Sequence, residues 1–482
     1  MSTFGGLNTA YTGLVAARQG LDVVGQNIAN ANTDGYTRQR ISTSALGATA
    51  PTGIFTQGAR VGEGVAMDGI IRLASAQLDA RVRATAATAG YTAVRANALA
   101  SVEDSLNEPG EGGISATLDE FWAGWQTLSN GTDTAAPAAL LLGTAGALVT
   151  QISEGYQAVS DEWSTVRSDL NNMISELNGA ATQVAALNVQ IRQTLATGGT
   201  ANELLDQRNT LTTTIAALTG ATVTEQADGT VNVLVGGNAL VTGGVAHQVK
   251  VDAGAPRVMQ DGGDVSLVWA DNADTPVTMD RGEMAGALSL LGGADNGSGG
   301  ALAEAAESYN TFARDLADKV NAIYKTGFTQ ADATGQAFFS HADGAPSAQG
   351  LSIVPTASAD MAVRASVDSG AYDGTIADAI AQLGAGFATN ADGAIGSPST
   401  TWSDFVTKTG VLTQTELQSA ALASSTASGA ANQQLANSSV DLDEENVNLL
   451  MFQHAYQGAA RMMTAVDEML DTLINRTGLV GR

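Results

Sequence analysis

The sequence predicts a mainly α-helical, elongated multidomain chain with a β insertion, its terminal helices pairing as a coiled coil. Three observations predict this. Apolar residues recur in alternating steps of three and four at both ends, the spacing of a helix-pairing seam. Hydrophobic residues make up 44% of the chain but aromatic ones only 5%, so much of the apolar content is alanine, the strongest helix former. The texture then turns to Val, Thr and Gly over residues 221–282, where short apolar runs between Asp-Gly and Gly-Gly pairs read as strands and turns.

The first helix is expected from about Phe4 to Asn30, with Phe4, Leu7, Tyr11, Leu14, Arg18, Leu21, Gly25 and Ile28 along its seam. Arg18 and Gly25 interrupt that seam. Asn30, Asn32, Asp34 and Gly35 stop the helix in a turn, and an extended segment from Tyr36 to Thr43 follows. Helical pattern covers Arg72 to Asn107, Ser115 to Ser129 with its Phe121, Trp122 and Trp125, and Ala138 to Asn209 almost without a break. Runs such as Val231–Val235 and Val265–Trp269 are the strands of a small outer β domain over 219–282. Helix returns at Ala301 to Tyr324, whose Tyr309, Phe312, Leu316, Val320 and Ile323 form one stripe. Residues 341–400 are Gly, Ala, Asp and Ser rich, an insertion of unassigned form with a short helix near Ile376 to Leu383. Helix resumes at Trp402, passes a polar interval near 419–440, and runs to the end.

The last helix carries Leu449, Phe452, Tyr456, Ala459, Met463, Val466, Leu470 and Leu473 in the same alternation, with no polar break. Asp441 caps its start, and Glu444 three residues on reads as the other half of a capping box. Asp443, Glu444 and Glu445 sit where the helix dipole favours carboxylates, and they read as a solvated cap rather than a metal site. Met451, Met462, Met463 and Met469 read as adaptable packing groups. The expected organisation is nested. Residues 1–43 with 441–482 form the terminal coiled-coil domain. Residues 44–218, 283–340 and 401–440 form a helical-bundle middle domain, and 219–282 the outer β domain.

At 482 residues two or three domains are expected. A formal charge of −27 speaks against nucleic acid, which needs a concentrated basic surface. There is no cysteine, which fits either a reducing cytoplasm or a chain that must travel unfolded without stray disulfides. The N-terminus lacks the charged start and apolar core of a cleavable signal, and no run of roughly 18 uncharged apolar residues reads as a membrane span. Export, if it occurs, reads an uncleaved N-terminal segment.

A search for chemistry returns no catalytic residue, no cofactor and no metal. His247, His341 and His454 are far apart and form no His-Glu-x-x-His pattern. His454 lies in an apolar context and reads as packed or hydrogen-bonded. No phosphate-binding glycine loop, no Gly-x-Ser-x-Gly elbow and no calcium-loop pattern is present.

The segment from Gly6 to Arg40, with its core Asn27-Ile28-Ala29-Asn30-Ala31-Asn32-Thr33 and Gly35-Tyr36-Thr37-Arg38-Gln39, resembles the N-terminus shared by flagellar rod, hook and hook-associated proteins. Asn202 to Asn209 (NELLDQRN), the 301–328 helix ending Lys325-Thr326-Gly327-Phe328, and the last stretch from Val440 are similar to the hook-associated members at the hook–filament junction. The resemblance implies a non-enzymatic structural subunit, exported unfolded by the flagellar type III machine without signal cleavage. Its implied partners are identical subunits in a ring, the flagellar hook protein, a second junction protein, and a cytoplasmic export chaperone on the C-terminal helix. Nucleic acid and membrane are not among them. The implied interface residues are Leu7, Tyr11, Leu14, Leu21, Ile28, Asn30, Asn32, Gly35, Tyr36 and Arg38 at one end, with Leu449, Phe452, Tyr456, Met463, Val466, Leu470 and Leu473 at the other. The tail Arg476–Arg482 and the short 341–400 stretch depart from the family pattern. A distal rod or hook subunit is the alternative within the class, and a flagellar scaffold carrying an enzymatic or adhesive outer domain the alternative outside it. An isolated amphipathic helix of this size is marginal in water, so the termini are expected to order on assembly.

Overall fold

The computed structural model describes residues 3–47, 62–131, 135–370, 373–390, 393–394 and 396–476. The tail beyond Arg476 and the stretch 48–61 of the expected middle domain lie outside them. Among the described residues 63% are helical, with a few small sheets. It opens with α1 (Thr3–Ala29), the antiparallel strands β1 (Gln39–Leu46) and β2 (Gly64–Arg72), α2 (Ala76–Leu106), α3 (Ile114–Asn130), α4 (Ala135–Ala196) and α5 (Asn202–Thr219). Six strands follow: β3 (Thr222–Glu225), β4 (Val231–Val235), β5 (Asn238–Thr242), β6 (Val245–Ala246), β7 (Val249–Val251) and β8 (Leu267–Trp269). The chain continues with α6 (Glu283–Leu291), α7 (Ala301–Tyr324), β9 (Phe339–His341), α8 (Ser347–Gly350), β10 (Leu351–Ile353), α9 (Thr375–Gly384), β11 (Thr389–Asn390) and β12 (Gly393–Ala394). It closes with α10 (Pro398–Ser438) and α11 (Leu442–Asp471), the last ending in a π turn over Thr472–Arg476.

The single helix expected from Ala138 to Asn209 is two helices, because Thr197, Gly198 and Gly199 break it and Gly198 takes a positive φ. The polar interval near 419–440 stays helical as far as Ser438, packed along α2. At 62 residues α4 is about 93 Å long and serves as the spine. Its Leu141, Leu148, Ile152, Val159, Leu170 and Leu177 are fully buried among α3, α5, α6 and α7. By length and composition α4 also contains a window apolar enough to cross a membrane, contrary to the sequence expectation. Within α4, Leu141, Ala145, Leu148 and Ile152 are buried in the core, while Leu140 is 68% exposed.

The centre is aromatic. Phe121, Trp125, Tyr324, Phe338 and Phe339 meet edge-on or tilted with ring centroids 4.8–6.1 Å apart, and Trp402 stacks similarly with Tyr309, Phe312 and Phe405. The strands run β3-β4-β5-β6 in one antiparallel sheet and β7-β8 in another. Their buried Val231, Val233, Val235, Val241, Leu267 and Trp269 belong to the same apolar core as α4. A buried polar staple holds them there. Asn188 on α4 donates to Val231 O (2.8 Å) and Gly243 O (2.7 Å), and its Oδ1 accepts from Val231 N and Arg208 Nη1. Burial lowers the Arg208 pKa to about 10, with Glu225 opposing that shift and Arg72 adding to it. The insertion 341–400 likewise has no separate core among its described residues: Ile376, Ile380 and Leu383 of α9 pack on α3 and α7.

Candidate assembly site

The two termini lie together. Helices α1 and α11 pack side by side, antiparallel, and the β1–β2 hairpin covers a second face of α1. The register follows from close contacts. A Cβ at Gly6 would sit 3.8 Å from Val466, one at Gly20 would sit 2.5 Å from the Phe452 ring, and Asn27 Nδ2 donates to Glu445 Oε2 at 3.1 Å.

These contacts correct the seam expected for α1. The positions turned inward are Gly6, Ala10, Ala17, Gly20, Val24 and Asn27, one step earlier in the heptad than the Leu and Tyr stripe. Ala10, Ala17, Val24 and Asn27 are buried, whereas Tyr11 is 56% exposed. Leu7, Leu14, Leu21 and Ile28 are half-buried at the flank, and Arg18 is exposed. Small residues let the two backbones approach closely, so the larger side chains one step on are turned outward. On α11 the expected face does point inward: Val466 is buried, and Leu449, Phe452, Met463 and Leu470 are half-buried. Tyr456 and Leu473 are exposed, as are Met451, Met462 and Met469. His454, expected to be packed, is exposed too.

At the inner end of the pair lies a polar network that draws on distant parts of the chain. Asn27 is buried with its amide fully engaged. Its Nδ2 also donates to Gln39 O (2.9 Å), and its Oδ1 accepts from Tyr36 Oη (2.9 Å) and Gln39 N (3.0 Å). Arg38 Nε donates to Glu445 Oε1 at 2.8 Å and Nη1 to Glu444 Oε2 at 2.6 Å, while its backbone N–H reaches Ser438 O at the end of α10. From α5, Asp206 accepts from Thr37 N (3.0 Å) and pairs with Arg72 (2.6 Å). Asn202 donates to Gln39 Oε1 and Ile70 O, and Glu203 accepts from Gln39 Nε2. Asn27, Gln39, Asn202, Asp206 and Glu445 are all buried.

The charges are mutually adjusted. Burial pulls the Arg38 pKa down, but its hydrogen bonds and proximity to Glu444 and Glu445 outweigh that and raise it overall. The Tyr36 phenol is pushed up to about 12, by burial first and then by Glu203, Asp206 and Glu445. It therefore remains a donor to Asn27 at any physiological pH.

The acids at the start of α11 are thus more than a solvated cap. Asp441 Oδ1 does accept from the backbone of Asp443 and Glu444, as expected. Glu444, however, turns to Arg38, so the capping box is not closed, and Glu445 is only 1% exposed. The turn before Tyr36 uses Gly35 at φ +78°, where a Cβ would come 2.7 Å from Thr210 Oγ1. Asn30 is half-buried and Asn32 and Gly35 are exposed; Asn30 and Gly35 line a cleft of about 660 Å³ together with Glu203, Asp206 and Gln207. Sequence reasoning placed Tyr36 and Arg38 at the site but missed Asn27, Glu445, Asn202 and Asp206 as its centre. One signal was available: Asn27 continues the row Gly6, Gly13, Gly20 at seven-residue spacing. Among the described residues no cluster of three or more His, Asp or Glu could hold a metal.

Known proteins share this architecture. Residues 99–339, half of the chain, match the family described as flagellar hook-associated protein FlgK helical domain. The chain belongs to the FlgK family. Residues 7–37 match the flagella basal body rod family and 431–476 the FlgEFG C-terminal family, so the terminal pair is the part shared with rod proteins. Flagellar hook-associated protein 1 of Bacillus subtilis is 29% identical over 511 aligned positions, covering 100% of both chains. Its counterpart in Salmonella typhimurium is 32% identical over 247 residues, covering 50% of this chain and 43% of its own length. The flagellar hook junction protein FlgK of Burkholderia pseudomallei superposes with a TM-score of 0.61 at 14% identity, over 76% of this chain and 100% of that one, a likeness of fold. As a FlgK-family member the chain is a structural protein of the flagellar hook–filament junction, associated with other hook components.

Proposed function

We propose that this FlgK-family chain is exported unfolded and assembles through its terminal helices into a ring of identical copies. The ring lies between the hook protein and a second junction protein, and before export a cytoplasmic chaperone covers the last helix. Residues 1–43 with 441–482 are the assembly domain, the helical bundle is the middle domain, and the strands over 219–282 are the outer decoration. The chain acts without catalysis, as expected of a structural family. One observation carries the proposal. The pairing of α1 with α11 leaves a second apolar face outward, with Phe4, Tyr11 and Val15 on α1 and Met462, Met469 and Leu473 on α11 exposed. A two-helix contact buries too little to be stable in isolation, so packing against neighbouring copies supplies the missing burial. A strain lacking the protein should build hooks and release unpolymerised flagellin. Absence of hooks would instead indicate a rod or hook subunit.

The loop from Asn30 to Gln39 is proposed to contact neighbouring subunits or the hook. Substituting Tyr36→Ala should lower incorporation into hooks roughly tenfold, the scale of losing its hydrogen bond and packing together, with secretion unchanged. Equal incorporation in competition with the unaltered chain would assign the loop to chain reversal alone.

A further inference from the structure

The inward row of α1 reads Gly6, Gly13, Gly20, Asn27 at seven-residue spacing. Opposite it stand Val466 at Gly6, Phe452 at Gly20 and Glu445 at Asn27, so Ala459 falls opposite Gly13. The Phe452 ring needs a position without a side chain, since a Cβ at Gly20 would meet it at 2.5 Å. A row of glycines meets that need at more than one place. Gly13 likewise offers no side chain, and even a Cβ there would meet nothing within 4 Å. The glycine spacing by itself therefore does not distinguish registers a heptad apart, about 10 Å along the axis.

We infer that Asn27 and Glu445, with Arg38, are the residues that select one register of the terminal pair. The proposal rests on the assembly role given above, and deepens it by naming what aims the interface. Sliding Phe452 toward the inner end would set its apolar ring over the Asn27 amide and take away its Glu445 acceptor, while Tyr36 and Gln39 stay with α1. Sliding it toward Gly13 would carry Glu445 away from Arg38 and Asn27 to face Gly20. Either slide leaves a buried polar group unpaired, and a single polar position in an apolar seam selects register in this way. The apolar seam holds the pair together while the polar lock sets its register. The outward stripe of Leu7, Tyr11, Leu14 and Leu21 is presented in one alignment with α11 only because the lock holds.

The chain has no cysteine, so engineered disulfides report register cleanly. The G6C/V466C pair traps the observed register, and G13C/V466C traps the slide toward the inner end. Under mild copper–phenanthroline oxidation of the purified full-length chain, the 6–466 bridge should exceed the 13–466 bridge by roughly tenfold or more. Adding N27G/E445A should bring the two bridges to comparable yield, because a glycine at position 27 admits the Phe452 ring as Gly20 does and no charge remains to be buried. E445Q, which still accepts from Asn27 and Arg38, should keep the original ratio. An unchanged ratio in N27G/E445A overturns the inference. If that variant loses the melting transition of its body, N27G alone is read the same way, and an unchanged ratio there overturns the inference equally. The trap scores closed pairs in the free chain. Normal register with failed filament attachment would therefore count against the assembly role only, and a lost register preference with normal attachment against the lock's importance only.

Discussion

Glu445→Ala should loosen α11 from α1 and the Tyr36–Gln39 loop at a cost of about 3 kcal/mol, while Glu444→Ala one residue earlier should cost less than about 1 kcal/mol. Both carboxylates pair with Arg38, and they differ in burial: the Glu445 side chain is 2% exposed and that of Glu444 61%. Breaking a buried pair leaves its partner desolvated without compensation, whereas an exposed pair is replaced by water. The figure sits at the lower end for a buried pair because Glu444 still holds one arm of Arg38. The loss also takes an acceptor from Asn27. Amide exchange at Thr37, Gln39 and the start of β1 reports the change and should speed up by about a hundredfold in Glu445→Ala. The aromatic core around Trp125 shares no contact with this network and should keep its protection. Equal effects of the two substitutions would mean that burial does not distinguish them and that the network is not a single unit.

What the sequence disclosed, and what it withheld, follows from the range of the forces involved. Element boundaries set by local chemistry were legible. Asp441 caps α11, Ala301–Tyr324 is one helix, and Val231–Val235 is one strand, because each depends on neighbours within a turn or two. The inward face of α1 was not legible, because a search for apolar spacing weights Leu and Tyr and passes over Gly and Ala. In an antiparallel pair of helices the small residues decide how near the backbones come. The network was hidden for a different reason. Asn27, Asp206 and Glu445 gain meaning only when α1, α5 and α11 converge, and no local pattern marks a polar residue as buried. The same holds for Asn188 and Arg208, which bind the β insertion into the core of α4. Motif resemblance had singled out the segments around Asn27, Asn202 and Val440. The structure shows why they travel together: they are the three faces of one network.

Val466→Asp with Leu470→Asp should abolish filament attachment and leave the body folded. Val466 is buried against Gly6 and Leu470 is half-buried one turn on, both at the end of the pair farthest from the polar network. Among the described residues, and apart from its own terminal turn, α11 packs extensively on α1 and on no other helix or strand. The double change removes the transfer energy of two apolar side chains, roughly 1.5–3 kcal/mol each when fully buried. It also places two carboxylates next to Asp467 and Asp471, where mutual repulsion opposes any closed pair. Nothing in the aromatic core touches these positions, so the main melting transition should move by no more than about a degree or two. Attachment depends on a pair that is closed and packed against neighbours, and a seam carrying two adjacent charges cannot present that surface. Secretion of the variant into the medium, with hooks present but bare, is the expected phenotype. Loss of the main transition in the purified variant would show that the terminal pair is part of the folding core, and attachment at the unaltered level would show that the outer half of α11 is not the assembly surface.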